Sequence, residues 1–207
     1  MLRSINGEWV ANLQRMLERL EIVKKTPSIE KGIHLHLGCG KEILDGFINI
    51  DKYFEHAQIL RCDMRHLPFT ENSVDTIYSS HSLEHLPIRP ANATLLHWQK
   101  VLRKDGMLYL AVPDLEEVCS IMADPNISEE AKWDWYVYVL FGYQIDVDTN
   151  TDSCDASLPI DHGQFHTTGF TKTRLHTLLT KTGFEIVQMF NYDGWSTPSI
   201  WCEAKKK

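Results

Sequence analysis

The chain has 207 residues, 43% hydrophobic and 24% charged, an ordinary globular composition that supplies the core of one slightly large domain. With 28 acidic against 21 basic residues the formal charge is −7, a field that repels polyanions and sets nucleic acid aside as a substrate. Five cysteines (Cys39, Cys62, Cys119, Cys154 and Cys202), odd in number and without C-x-x-C spacing, read as reduced thiols of a cytoplasmic protein rather than a disulfide frame or a zinc site.

Residues 7 to 25 carry Trp9, Leu13, Met16, Leu17, Leu20 and Val23 at three- and four-residue spacing, which predicts an amphipathic helix ended by Pro27. Glu8, Arg15 and Glu18 interrupt its apolar residues, so it is no signal peptide, and no apolar run in the chain approaches the roughly 20 residues of a membrane span. Short apolar runs at 32 to 37, 46 to 51, 58 to 61 and 74 to 79 read as strands separated by turns. Pro90 to Arg103 reads as a helix stopped by Asp105-Gly106, and Met107 to Val112 as a fifth strand. Thr171 to Thr182 is a helix stopped by Gly183, followed by strands at Phe184 to Phe190 and Ser199 to Ala204.

Nearly continuous apolar strands alternating with helical or turn segments predict a doubly wound α/β domain with a mostly parallel sheet covered on both faces. Leu115 to Gly169 breaks the alternation with an aromatic helix, KWDWYVYVLFGY, and an acidic loop, DVDTNTDSCDASLPIDHG. This interval is expected to form a lid over the carboxyl ends of the strands, where ligands of open α/β sheets bind. The chain thus divides into an N-terminal helix (1–27), a cofactor half (28–114), an inserted substrate lid (115–169) and a C-terminal helix with strands (170–207).

The chemistry begins at HLHLGCGKEILDGFINID, residues 34 to 51. Glycines after a first strand let ligand atoms approach the backbone, and an acid ending the second strand can accept ribose hydroxyls. A dinucleotide fingerprint needs a third glycine and an acid about 20 residues on. Here Ile43 takes the third glycine's place and Asp51 lies only 13 residues past Gly38, so a nucleoside without phosphates is the better ligand. A nicotinamide-dependent oxidoreductase is disfavoured on the same grounds.

With HLGCGKE, FINID, RCDMRHLPF, DTIYSSHSLEHL and LRKDGMLYLAVPD in this order, the chain resembles the class I S-adenosylmethionine-dependent methyltransferases, type 11 group. A weaker echo is FTKTRLHTLLTKTGFEIV at 170 to 187. The resemblance implies a Rossmann-like, seven-stranded fold and S-adenosylmethionine as cofactor, with S-adenosylhomocysteine as product. It implies that Gly38, Cys39 and Gly40 line the methionine portion, that Asp51 holds the ribose, and that Asp63 and the Met64 backbone read adenine. Ser80 and His81 would face the methyl sulfonium. Two departures stand out: His34 or His36 replaces the acid that usually opens the first motif, and the helix between the first two strands is shortened or lost.

Methyl transfer to a hydroxyl needs alignment of the nucleophile and removal of its proton, a task suited to histidine. His166 and His81 are the catalytic candidates; His85 reads first as a pocket or capping residue of the L-E-H-L pattern. His162, Trp135 and Tyr138 are expected to contact the acceptor, the two rings by stacking. No metal site is expected: in DVDTNTD, Asp146, Asp148, Asn150 and Asp152 have calcium-loop spacing, but Thr151 and Ser157 replace the required glycine and glutamate. The expected activity is O-methylation of a small molecule or glycan, the alternative being a methyltransferase-like protein that binds the cofactor without turnover.

Overall fold

A computed structural model describes residues 32–142, 164–194 and 197–207. The expected N-terminal helix and the acidic loop lie outside the described residues. The strands are β1 (His34–Leu37), β2 (Ile48–Asp51), β3 (Ile59–Arg61), β4 (Val74–Ser80), β5 (Leu102–Pro113), β6 (Phe184–Gly194) and β7 (Thr197–Lys206). They form one sheet in the order β3-β2-β1-β4-β5-β7-β6, parallel from β1 to β5, with β7 antiparallel to both of its neighbours. Leu37 pairs with both Ile50 and Ser79, so the carboxyl ends of β1, β2 and β4 open on the same edge.

Strand alternation sends the two kinds of side chain to opposite faces. Leu35, Leu37, Ile77, Leu108, Leu110 and Cys202 enter the main core, closed by α1 (Ile88–Val101) through Leu95 and Trp98 and by α5 (Lys172–Lys181) through Leu175 and Leu179. Tyr78, Ala111 and Trp201 form a smaller cluster on the other face, packed with Leu44, Phe47, Tyr109, Phe190 and Tyr192.

The helix over 88–101 starts two residues before the expected one and stops two residues sooner. Pro90 falls in its first turn, where a missing N–H costs no hydrogen bond. Asp105, at φ +60, and Gly106 therefore make a turn inside the early part of β5 rather than the helix stop. The start and stop of α5 follow the sequence: the Thr171 hydroxyl caps it by accepting the Arg174 N–H at 3.2 Å, and Gly183 leaves it at φ +92.

The segment after β5 is helical earlier than its aromatic run suggests. Asp114 accepts the N–H groups of Glu116 and Glu117 and starts α2 (Leu115–Ala123). A short α3 (Glu129–Ala131) then leads into a π-helical turn, Lys132–Tyr136, and α4 (Val137–Phe141).

Candidate active site

Between β1 and β2 the chain makes turns where a helix was expected to shrink. Gly38 and Gly40 have φ of +65 and +52, a conformation costly for residues with a Cβ. A Cβ on Gly38 would run into the Ser82 side chain, whereas one on Gly40 would meet nothing within 4 Å, so the second glycine opens on clear space. Asp51 holds this turn: its Oδ2 accepts the Gly40 N–H at 2.9 Å and its Oδ1 accepts those of Tyr53 and Phe54 at 2.8 and 2.9 Å. Of about four lone-pair sites on a carboxylate, three are thus taken by backbone. Cys39 is buried, and burial pushes its thiol up to about 12, with the Asp51 charge adding to the effect, which makes it a packing residue rather than a nucleophile.

The histidines of β1 have a structural use. The His36 Nδ1–H donates to Asn49 Oδ1 at 3.0 Å, and the Asn49 amide holds Leu44 N, Leu44 O and Phe47 O. That network pins the residue 44–47 loop over the small aromatic cluster, in the place where a longer connection would put a helix. Burial lowers the His36 pKa to about 4, so the ring is neutral. His36 is thereby no counter-charge for a methionine ammonium.

Asp63 lies past β3, and the turn after it is fixed by the Trp98 indole, which donates to the Met64 carbonyl at 2.9 Å. Its carboxylate is gripped by Arg65 at 2.6 to 3.1 Å and by Lys52 at 3.3 Å. The Arg65 guanidinium is the main reason its pKa stays well below the usual carboxylate range. An adenine amino group would have to share this carboxylate with two cations.

Beyond Ser80 the chain turns sharply. His81 has φ +49 and its N–H donates to Ala111 O at 2.9 Å, which ties the turn to β5. The Ser82 hydroxyl reaches Gly38 O at 3.3 Å and Ser80 O at 3.0 Å, joining this turn to the glycine turn. The 3₁₀ turn Leu83–His85 follows, with Glu84 1% exposed and both of its carboxylate oxygens without a hydrogen-bond partner.

A returning segment far along the chain closes over this turn. Thr167 and Thr168 donate their N–H groups to Glu84 O, the Thr167 hydroxyl donates to His85 O, and the His85 Nδ1–H donates to Phe165 O at 3.1 Å. His166 is held by α4: its N–H donates to Phe141 O and its Nδ1–H to Val139 O at 2.8 Å. Gly142, at φ +78, lets this segment pass, since a Cβ there would strike the Gln164 carbonyl. The result places His166 Nε2 3.9 Å and His81 Nδ1 3.6 Å from Glu84 Oε1, with the His85 and His166 rings 5.0 Å apart. A cavity of about 20 Å³ is lined by Glu84 and His166 together with Leu115, Val118, Val139 and Phe170.

Electrostatics follow from burial. It raises the Glu84 carboxyl to about 8 and lowers His166 to about 4 and His81 to about 3; the neighbouring imidazoles add to both histidine shifts. His81 and His166 are therefore neutral around pH 7. Both catalytic candidates meet at one carboxylate, and Glu84, which the sequence analysis left unassigned, is the centre of the group. Its signal was the L-E-H-L pattern, with the glutamate between two histidines. Tyr138 is 37% exposed and α4 contributes its neighbours Val139 and Leu140 to the cavity instead. His162 and the side chain of Trp135 lie outside the described residues.

The architecture is shared with known proteins. Residues 42–110 match the model of the methyltransferase domain. No curated protein matches the sequence. Among solved structures, magnesium protoporphyrin IX methyltransferase of Synechocystis, with S-adenosylhomocysteine bound, superposes with a TM-score of 0.61 at 11% identity, covering 100% of this chain and 89% of that one. An S-adenosylmethionine-dependent methyltransferase of Methanosarcina mazei gives 0.59 at 16% identity, with 89% and 96% covered. One of Mesorhizobium loti gives 0.54 at 14% identity, with 91% and 97% covered. Sheet order and superposition give the chain the fold of the class I S-adenosylmethionine-dependent methyltransferases. The matched stretch covers about a third of the chain, and structures of the Synechocystis enzyme hold S-adenosylhomocysteine or S-adenosylmethionine.

Proposed function

We propose that the protein transfers the methyl group of S-adenosylmethionine to a hydroxyl oxygen of a small molecule or glycan. The observation that carries this reading is the junction at Ser82. Its hydroxyl touches the Gly38 turn, and two residues on Glu84 enters the histidine group, so a cofactor on the glycine turn and an acceptor at Glu84 would be neighbours.

In this reading Gly38, Cys39 and Gly40 pass beside the methionine portion, and the remaining lone pair of Asp51 takes a ribose hydroxyl. Asp63 and Met64 flank the adenine, with Lys52 and Arg65 alongside. Ser80 and His81 face the methyl group. The acceptor oxygen attacks the methyl carbon in line, the S–CH3 bond breaks with its pair left on sulfur, and the hydroxyl proton goes to His166 or His81. His162, Trp135 and Tyr138 remain the residues assigned to the acceptor.

Isothermal titration of the full chain with S-adenosylhomocysteine is expected to show one binding site that Asp51→Ala removes. Absence of binding to the intact chain overturns the reading. Binding without time-dependent release of S-adenosylhomocysteine, across hydroxyl-bearing acceptors, would favour a cofactor-binding protein without turnover.

A further inference from the structure

Among the described residues, Glu84, His85 and His166 each bring one ligand atom within 4.8 Å of the other two. Their surroundings decide what such a group can hold. A backbone carbonyl only accepts, so the contacts to Phe165 O and Val139 O require the proton of both imidazoles to sit on Nδ1. The lone pair of each ring is then on Nε2, and that of His166 looks toward Glu84 from 3.9 Å. On the far side, the Ser199 hydroxyl gives its own proton to Thr197 O, so it receives His81 Nε2–H at 3.3 Å and leaves the His81 lone pair on Nδ1, 3.6 Å from the same carboxylate.

The His166 and His81 lone pairs thus lie beside a carboxyl group that is 1% exposed and has no hydrogen-bond partner on either oxygen. A buried acceptor left in that state is destabilising, the more so when charged. The separations are too long for direct hydrogen bonds. They suit a cation between the groups, because ligands drawn to about 2.0–2.2 Å from a common metal need only a small inward movement. Imidazoles whose second nitrogen donates to a backbone carbonyl are also the usual form of metal-binding histidines. The adjoining cavity of about 20 Å³ has room for a water-sized ligand on an open coordination position.

We infer that Glu84, His85 and His166 form a binding site for a divalent transition metal of the zinc class, with an open position toward the cavity and His81 beside it. Two imidazoles and a carboxylate without thiolate suit zinc, cobalt, manganese or ferrous iron rather than magnesium or calcium. The sequence analysis looked for a metal among the cysteines and in the acidic loop, since Glu84 and His85 are far along the chain from His166. A metal here makes His166 a ligand and leaves His81 as the imidazole for proton transfer. The inference deepens the acceptor end of the methyl-transfer reading, but rests on the side-chain group alone.

The test uses the full chain, stripped with chelator, and zinc alone. Equilibrium dialysis is expected to give one tight equivalent, and cobalt in its place should show the visible bands of a low-symmetry site. Glu84→Gln and His166→Ala should each weaken zinc binding by at least about tenfold, while His176→Ala, on the exposed face of α5, leaves it unchanged. Titration of the same samples with S-adenosylhomocysteine separates the two readings, since cofactor binding does not depend on this group. Should the variants fail to fold, X-ray absorption at the zinc edge of the wild-type chain is expected to show two imidazoles and oxygen. Thiolate ligation, or stoichiometric binding unaltered in Glu84→Gln and His166→Ala, overturns the inference, as does failure of the wild type to bind zinc.

Discussion

The two ends of the candidate site are built in different ways. The proposed cofactor end comes from one stretch, residues 38 to 64, and is shaped chiefly by backbone: two left-handed glycines, a carboxylate holding three N–H groups, and a turn fixed by an indole. The proposed acceptor end is made of side chains drawn from the turn after β4, from α4 and from a segment about 80 residues further on. A backbone-built site tolerates change around it, because strand register positions it. A side-chain cluster exists only while its separate elements stay docked, so the acceptor end can vary without loss of the cofactor end.

That contrast can be broken by substitutions at either end. The largest expected effect is Asp51→Ala: losing charge-assisted bonds to both ribose and Gly40 should cost about 3.5 kcal/mol, roughly 300-fold, in S-adenosylhomocysteine affinity by titration. Zinc binding in the same variant should be unchanged; a joint loss would mean that the two ends are one unit.

Next is the acid stability of the loop beside the glycine turn. His36 is neutral because its folded pKa, about 4, lies below the ordinary 6.5, so the unfolded chain binds the extra proton first. The stability present above pH 6.5 is then lost as pH falls toward 4, by about 3 kcal/mol from this group. Denaturant melts of His36→Gln, which keeps an N–H for Asn49, should show a shallower loss over that window. An unchanged pH slope would remove His36 from this role.

Glu84→Gln should lower turnover by about 2 kcal/mol, roughly 30-fold, with S-adenosylhomocysteine affinity within about threefold of wild type. A large loss of cofactor affinity would show that Glu84 serves the cofactor end. The smallest effect is expected from Thr167→Val, which removes one hydroxyl bond to His85 O. It should cost about 1 kcal/mol of stability in thermal melts, and its effect on turnover should exceed that on cofactor binding.

Much of this was legible in the sequence. The strands from 34 to 113 were visible because apolar runs end abruptly at turn residues, and Gly38, Asp51 and Asp63 stood out by order and spacing. The early end of α1 was less visible, since Asp105-Gly106 makes a turn within a strand as readily as after a helix. The grip of Arg65 and Lys52 on Asp63 was hidden by its dependence on side-chain reach. Glu84 was hidden for another reason: nothing local says that an acid on a turn will be buried by a segment arriving from elsewhere.

The sequence by itself determined the parallel part of the sheet and the glycine turn, because strand periodicity and glycine conformation are properties of neighbouring residues. Tertiary structure alone decided the roles of the histidines. His36 became a strut under a short loop because Asn49 faces it across β1 and β2, and His166 joined Glu84 because Phe165 to Thr168 dock on the turn after β4. Hydrogen-bond partners so far apart along the chain are fixed only when the chain has folded, and with them the tautomers and charges on which the chemistry depends.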